Sequence, residues 1–241
     1  MRGRLRSAVL AGARLLLRGD RHECPCCGGR FSRFIVRDDA SRVCPRCRSR
    51  ERQRVLWLYL QRELGIEASD ARVLHLAPEP ALHERLRALP RLRYETGDLA
   101  PGALVDRTMD VERLPHDDGS LDLVLCSHVL EHVADDVGAA RELARVLAPG
   151  GLALVQVPVE PTLDRTYEDV SIDTPAGREH AFGQADHVRI YAADVIDRLR
   201  AGGLDVTLVP YADQVPPELR FRCLLADRGR RPGSDIYRCA A

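Results

Sequence analysis

Leu121-Asp122-Leu123-Val124-Leu125-Cys126, followed by a helical pattern from about His128 to Leu147, the turn Pro149-Gly150-Gly151 and the apolar run Leu152 to Pro158, decides the fold of this chain. Two short apolar runs joined through a long amphipathic segment make a strand–helix–strand unit, the connection that parallel neighbouring strands require. The alternation continues on both sides. Upstream, Arg72-Val73-Leu74-His75-Leu76-Ala77 reads as a strand, Pro80 opens a helix carrying Leu82, Leu86 and Leu89, and Leu92 to Gly97 forms a second strand ending at Asp98. Downstream, Asp194 to Ala201 reads as a helix stopped by Gly202-Gly203, Leu204 to Pro210 as a strand, and Asp235 to Cys239 as a final one. Residues 71–241 are therefore expected to form an α/β domain with a doubly wound, mostly parallel, Rossmann-like sheet. Ligands in such sheets bind beyond the carboxyl ends of the strands, where the strand order reverses.

The front of the chain follows other rules. Cys24-Pro25-Cys26-Cys27-Gly28 and Cys44-Pro45-Arg46-Cys47 form a C-x₂-C…C-x₂-C pattern with sixteen residues between the pairs. Four thiolates so spaced close a tetrahedral Zn²⁺ site, and a site filled by four protein ligands is structural. Cys24, Cys27, Cys44 and Cys47 are the expected ligands; Cys26 stands as an alternative partner in the first pair. Phe31, Phe34, Ile35 and Val36 supply residues for a hairpin between the two knuckles. A module of this size, residues 21–50, lacks the core to fold without metal. Residues 51–70 read as a connecting helix with Val55, Leu56, Tyr59, Leu60 and Leu64 at helical spacing, then a linker. Residues 1–20 read as a short amphipathic helix rather than a secretory signal.

The 241 residues balance 36 basic against 36 acidic groups, but residues 1–55 hold 15 Arg and 5 acidic residues. A basic front end suits nucleic acid, an anionic surface or solvent alike. There is no Lys and no Asn. No apolar run reaches the length of a membrane span, so no integral membrane segment is expected, and clustered cysteines point to a cytoplasmic location. The sequence sets no oligomeric state.

Three ordered segments carry a resemblance. Val111-Glu112-Arg113-Leu114-Pro115-His116-Asp117-Asp118-Gly119-Ser120-Leu121-Asp122-Leu123-Val124, then Ser127-His128-Val129-Leu130-Glu131-His132-Val133, then Arg141-Glu142-Leu143-Ala144-Arg145-Val146-Leu147-Ala148-Pro149-Gly150-Gly151 resemble the type 11 branch of class I S-adenosylmethionine-dependent methyltransferases. His75 to Pro80 and Phe182 to Tyr191 further resemble a bacterial group that joins a Cys-Pro-x-Cys ribbon to this domain. The resemblance implies a seven-stranded methyltransferase sheet and S-adenosylmethionine as cofactor. It implies His75, Ala77 and Glu79 in the first loop, Asp98 at the ribose, Asp110 and Val111 at the adenine, and Ser127 and His128 near the methionine end. Glu95 is the rival of Asp98. Where the family's first loop carries glycines, this chain has Ala77, Glu79 and Ala81 with Pro78 and Pro80 between them.

His128 and His187 are the candidate acid–base residues, and the insertion between residues 158 and 204, with Tyr167, Glu168, Asp169, Asp186 and Arg189, is expected to shape the acceptor pocket. Three functions remain open: methyl transfer to a small-molecule acceptor; methyl transfer to ribosomal or transfer RNA, with Arg48, Arg50, Arg52 and Arg54 gripping phosphates; and a non-catalytic binding protein on the same fold.

Overall fold

The computed structural model describes residues 15–226 and 233–241. Residues 1–14, most of the expected amphipathic helix, lie outside the described residues. The rest of that segment differs from expectation, because residues 18–20 already belong to a strand, β1 (Arg18–Glu23). β1 pairs with β2 (Arg30–Phe31), and β3 (Ile35–Val36) pairs with β4 (Arg42–Val43). The hairpin expected between the knuckles is β3–β4, with Ile35 and Val36, and a second hairpin, β1–β2, wraps around the first cysteine turn.

Helix α1 (Glu51–Arg62) follows the module. The sequence suggests a connector, but Val55 to Leu60 are buried on every side of the helix, so α1 is a core element shared by both parts of the chain. It packs Val55, Leu56 and Trp57 with Cys24, Cys26, Phe31 and Phe34 of the module in one apolar cluster that also takes Val73, Leu123, Leu125 and Leu154 from the large sheet.

That sheet is assembled from β5 (Arg72–Leu76), β6 (Arg93–Asp98), β7 (Arg107–Thr108), β8 (Leu121–Ser127), β9 (Leu147–Gln156), β12 (Asp205–Val209) and β13 (Ile236–Ala240). Between them run α2 (Pro80–Arg87), α3 (Asp136–Val146), the small pair β10 (Tyr167–Glu168) and β11 (Arg189–Ile190), α4 (Pro175–Phe182), α5 (Val195–Ala201), α6 (Tyr211–Gln214) and α7 (Pro217–Cys223). The spatial order is β12-β13-β9-β8-β5-β6-β7, with β13 antiparallel to both neighbours and the remaining pairs parallel. The expected mostly parallel seven-stranded sheet is thus present. Its shortest member, β7, has no apolar signature of its own; it forms because Asp106 accepts from the Thr96 backbone and hydroxyl of β6.

Alternation along the strands fills both faces. Val73, Leu123 and Leu125 point to the α1 side; Leu74, Leu76, Val124 and Cys126 point to a second cluster with Ala139, Ala140 and Leu143 of α3 and Val195 and Leu199 of α5. The chain leaves β5 toward β6 and β7, then returns to the other side of β5 as β8, so the order reverses between β5 and β8. Their carboxyl ends, Leu76-Ala77 and Ser127-His128, mark the crevice where a ligand belongs. Among the described residues no helix is long and apolar enough to cross a membrane.

Candidate functional site

Both strand tips at the reversal bend sharply. Ala77 has φ 47° and His128 has φ 55°, left-handed values that cost a non-glycine residue about 1–2 kcal/mol. The first loop therefore takes a glycine-like bend without glycine. It is held by the Ala77 amide donating to the Gly97 carbonyl of β6 at 2.8 Å. Pro80 occupies the first turn of α2, where its missing N–H removes no helical hydrogen bond.

Glu79 caps the entry to α2 and is nearly enclosed. Its Oε1 accepts from Arg52 Nη2 at 2.6 Å and Nε at 3.1 Å, while Oε2 is buried and finds no partner among the described residues. A buried polar oxygen left this way costs about 1–3 kcal/mol. It fits a donor brought by a ligand, such as an ammonium group. Arg52 has no local sequence mark as a site residue; only the packing of α1 over the loop reveals it.

Asp98 lies at the end of β6, half-buried, with Oδ1 accepting from the Ala100 amide at 3.2 Å. Glu95, its rival, is engaged elsewhere: its Oε2 lies 3.1 Å from His116 Nε2. Asp110 is exposed and accepts from the Glu112 amide at 2.9 Å, while Val111 is buried in the second apolar cluster. The structure thus sets Glu79, Asp98, Ser127 and His128 on adjoining strand ends, with Asp110 and Val111 on the segment after β7.

His75 falls elsewhere. It is fully buried within β5, with Nδ1 2.8 Å from the Tyr94 hydroxyl, and burial holds its ring at a pKa of about 3, the charge of His83 adding to the effect. The folded state therefore keeps this imidazole neutral while the unfolded chain protonates near pH 6.5, so its stabilising contribution is present above 6.5 and is lost as pH falls toward 3. From pH 7 to pH 5 this linkage removes about 2 kcal/mol. Urea unfolding at those two pH values should show the loss, and His75→Gln should shrink it; equal acid sensitivity in the variant would exclude His75 as the cause.

The β8 tip is a tied assembly. Ser127 Oγ donates to Gln156 Oε1 at 3.1 Å, and Gln156 Nε2 donates to the Ser234 carbonyl at 2.8 Å. His128 Nδ1 lies 3.1 Å from Glu131 Oε1 and its Nε2 lies 3.2 Å from the Gly233 carbonyl. Gly233 permits this approach, since a Cβ there would meet the His128 ring at 2.8 Å. Burial pushes the Glu131 carboxyl up, but the His128 hydrogen bond and charge outweigh it and leave the group below the usual carboxylate range. The helix expected from His128 onward starts only at Asp136, because Leu130–His132 forms a tight 3₁₀ turn and Asp135 caps α3 by accepting from the Gly138 amide.

The insertion is clamped to this turn. Buried Arg189 donates to the carbonyls of Leu130, Val133 and Ala134 and to Glu168. Tyr191 donates to Asp136 Oδ2 at 2.8 Å, and Arg198 binds the same carboxylate through two nitrogens. Arg189 fixes the insertion against the turn after β8 and, with Glu168 and Asp169, also lines a cavity on that face. His187 is buried, with its ring edge-on to His132 at 4.7 Å.

At the front of the chain, the Sγ atoms of Cys24, Cys27, Cys44 and Cys47 all lie within 4.8 Å of one another. The Cys24–Cys47 and Cys27–Cys44 separations are 3.5 and 3.7 Å. A tetrahedron with metal–sulfur bonds of about 2.3 Å has edges of about 3.8 Å, so the donor set fits Zn²⁺. The two knuckles repeat one backbone plan: the residue after each Cys pair, Gly28 and Arg48, has φ 67° and 64°. Cys26 neighbours Cys24 but is not one of the four clustered thiols, and its Sγ donates to the Gln53 carbonyl of α1 at 3.6 Å.

With this geometry in place, comparison with known proteins is informative. Residues 59–155, from within α1 to near the end of β9, match the sequence family described as a methyltransferase domain, and the cysteine module lies outside the match. A probable S-adenosylmethionine-dependent methyltransferase of Mycolicibacterium smegmatis is 28% identical over 146 residues, covering 61% of this chain and 44% of that protein. The trans-aconitate 2-methyltransferase of Methylobacterium radiotolerans is 31% identical over 185 residues, covering 63% and 65%. Of the curated relatives it matches, the chain spans between 27 and 65% of the length. A crystal structure of an S-adenosylmethionine-dependent methyltransferase from Mesorhizobium loti superposes with a TM-score of 0.53 at 15% identity, over 78% of this chain and 98% of that one. The likeness establishes the Rossmann-like methyltransferase fold.

Proposed function

We propose that this chain is an S-adenosylmethionine-dependent methyltransferase acting on a small-molecule acceptor, with a structural zinc ion in its four-cysteine module. The observation that carries the reading is the enclosed Glu79 carboxylate at the strand-order reversal, one oxygen held by Arg52 and the other without a donor among the described residues. In this reading Glu79 Oε2 takes the cofactor's ammonium group, Asp98 the ribose hydroxyls, and Asp110 with the Val111 amide the adenine. Ser127 and His128 wall the methionine end. When bound, the cofactor supplies a methyl group already activated by its sulfonium.

The protein's own task is alignment, worth several kcal/mol of barrier when reacting atoms are held in line. His128 suits that task. Its ring nitrogens lie beside the Glu131 carboxylate and the Gly233 carbonyl, so His128 stands as a fixed wall of the crevice. The His128–Glu131 pair also joins the β8 tip to the segment at Gly233 and keeps the crevice from splaying.

The choice of a small acceptor over RNA rests on where the arginines go. Arg54 is fully buried, Arg52 is spent on Glu79 and Arg50 pairs with Asp39 at 2.8 Å. Of the four arginines expected to grip phosphates, Arg48 is the exposed one, and a phosphate-tracking surface needs several.

Calorimetric titration of the full chain with S-adenosylhomocysteine tests the reading. Binding is expected, and Asp98→Ala should weaken it by about 10- to 100-fold, the worth of hydrogen bonds to a charged group. A flat trace on folded protein would support a binding fold without methyl transfer. Tight RNA binding at about 50 mM salt that weakens steeply as salt rises would move the acceptor to RNA.

A further inference from the structure

We propose that Glu131, His132 and His187 form a second divalent-cation site, distinct from the four-cysteine cluster and suited to a first-row transition metal. One ligand atom from each of the three residues lies within 4.8 Å of the others. His187 is distant in sequence, but backbone hydrogen bonds set it in place. The Val188 amide donates to the Glu131 carbonyl at 2.9 Å, and Arg189 next to it grips the carbonyls on either side of Glu131 and His132. The juxtaposition is therefore built by the fold and does not depend on side-chain chance.

A second observation points to a ligand here. Glu131 is 1% exposed, its Oε1 faces His128 Nδ1, and its Oε2 is buried with no hydrogen-bond partner among the described residues. A buried, half-satisfied carboxylate is costly. A cation bound beside two imidazoles removes that cost. His132 and His187 meet edge-on, 4.7 Å between ring centroids at 85°, a contact that burial of hydrophobic surface alone does not require of two histidines.

The donor set names the cation class. Two imidazoles and one carboxylate leave positions open to water or a ligand and suit Zn²⁺, Co²⁺, Mn²⁺ or Fe²⁺, whereas Ca²⁺ and Mg²⁺ prefer all-oxygen cages. Asp186 Oδ2 lies 3.4 Å from His132 Nδ1, the carboxylate–imidazole arrangement that orients a ligating histidine. His132 is partly exposed, which gives the ion a path from solvent. The site stands on coordination chemistry alone and is independent of the methyl-transfer reading.

The test uses the full chain with its cysteine cluster already filled by one equivalent of Zn²⁺, titrated with Co²⁺. One further equivalent is expected to bind, with d–d absorption of a nitrogen/oxygen site and no thiolate-to-cobalt charge-transfer band. His132→Ala, at a partly exposed position that leaves the fold intact, should weaken this binding by about 100-fold, and Asp186→Asn by about tenfold. His187→Gln, checked for folding by circular dichroism, should do the same as His132→Ala. Absence of a second equivalent at millimolar Co²⁺, or binding unchanged in His132→Ala, overturns the proposal.

Discussion

With zinc in the four-cysteine cluster as proposed, Cys44→Ser should lose that metal and lower the melting temperature by about 10 °C or more. Cys44 is fully buried, and its Sγ lies 3.7 Å from that of Cys27. Hydroxyl oxygen is a poor substitute for thiolate, so the fourth corner of the tetrahedron opens. Structural zinc contributes about 10–16 kcal/mol of apparent binding energy in isolated finger peptides, which is folding energy for a module this small. Part of the module persists on its apolar contacts with α1, which include Phe31 and Phe34. A net loss of about 4 kcal/mol moves the transition of a chain of this length by about 10 °C. Metal analysis should give one zinc per chain fewer in the variant than in the parent, and calorimetry should read the shift. Unchanged stability at zero metal content would reduce the cluster to a packing element.

Arg54→Met is the second large effect, with an expected cost of about 3–5 kcal/mol. The guanidinium of Arg54 is fully buried and donates to four carbonyls: Cys223 at 2.9 Å, Leu224 at 2.8 Å, Arg42 at 3.0 Å and Ser49 at 2.6 Å. It also lies 3.6 Å from the buried Glu51 carboxylate and packs 4.9 Å above the Phe34 ring. Methionine keeps most of the volume but removes the side-chain donors of the Cys223, Leu224 and Arg42 carbonyls, while Glu51 keeps Arg42 and the Ser49 carbonyl keeps the Cys44 amide. The substitution therefore loosens the cysteine module, α1 and the end of α7 together. The nearby exposed Arg48 offers the contrast: Arg48→Ala should change stability by no more than about 0.5 kcal/mol. Chemical denaturation of both variants separates a buried clamp from surface charge.

Arg54 also shows where sequence reading stops. The stretch Arg48 to Arg54 reads as a basic surface because charge is visible in letters and burial is not. Periodicity at Val55, Leu56, Tyr59 and Leu60 marks a helix, yet the flanking Arg52 and Arg54 become internal only once β5, α2 and α7 arrive from far along the chain. The large sheet was legible for the opposite reason. β5, β8 and β9 are apolar runs separated by helix-length segments, and their pairing follows from that rhythm. β7 was not legible, since Arg107–Thr108 has no apolar pattern and exists through Asp106 and Thr96. The cysteine tetrad was readable from spacing, while the role of Cys26 was not; only its direction toward Gln53 separates it from Cys24 and Cys27. In the candidate cofactor site, Glu79 and Asp98 stand out in the sequence through their alignment with a family pattern. Arg52, Gln156 and Gly233 were missed, because each acts across more than a hundred residues or from another element.

Three consecutive residues of α1 carry one further consequence. Arg52 holds the Glu79 loop, the Gln53 carbonyl receives Cys26, and Arg54 gathers the module's carbonyls. On the functional reading above, the metal and the methyl donor press on opposite sides of a single helical turn. Their affinities are then thermodynamically linked, and linkage is reciprocal: whatever factor zinc lends to cofactor binding, the cofactor returns to zinc. Scarcity of either in its surroundings would loosen the grip on both.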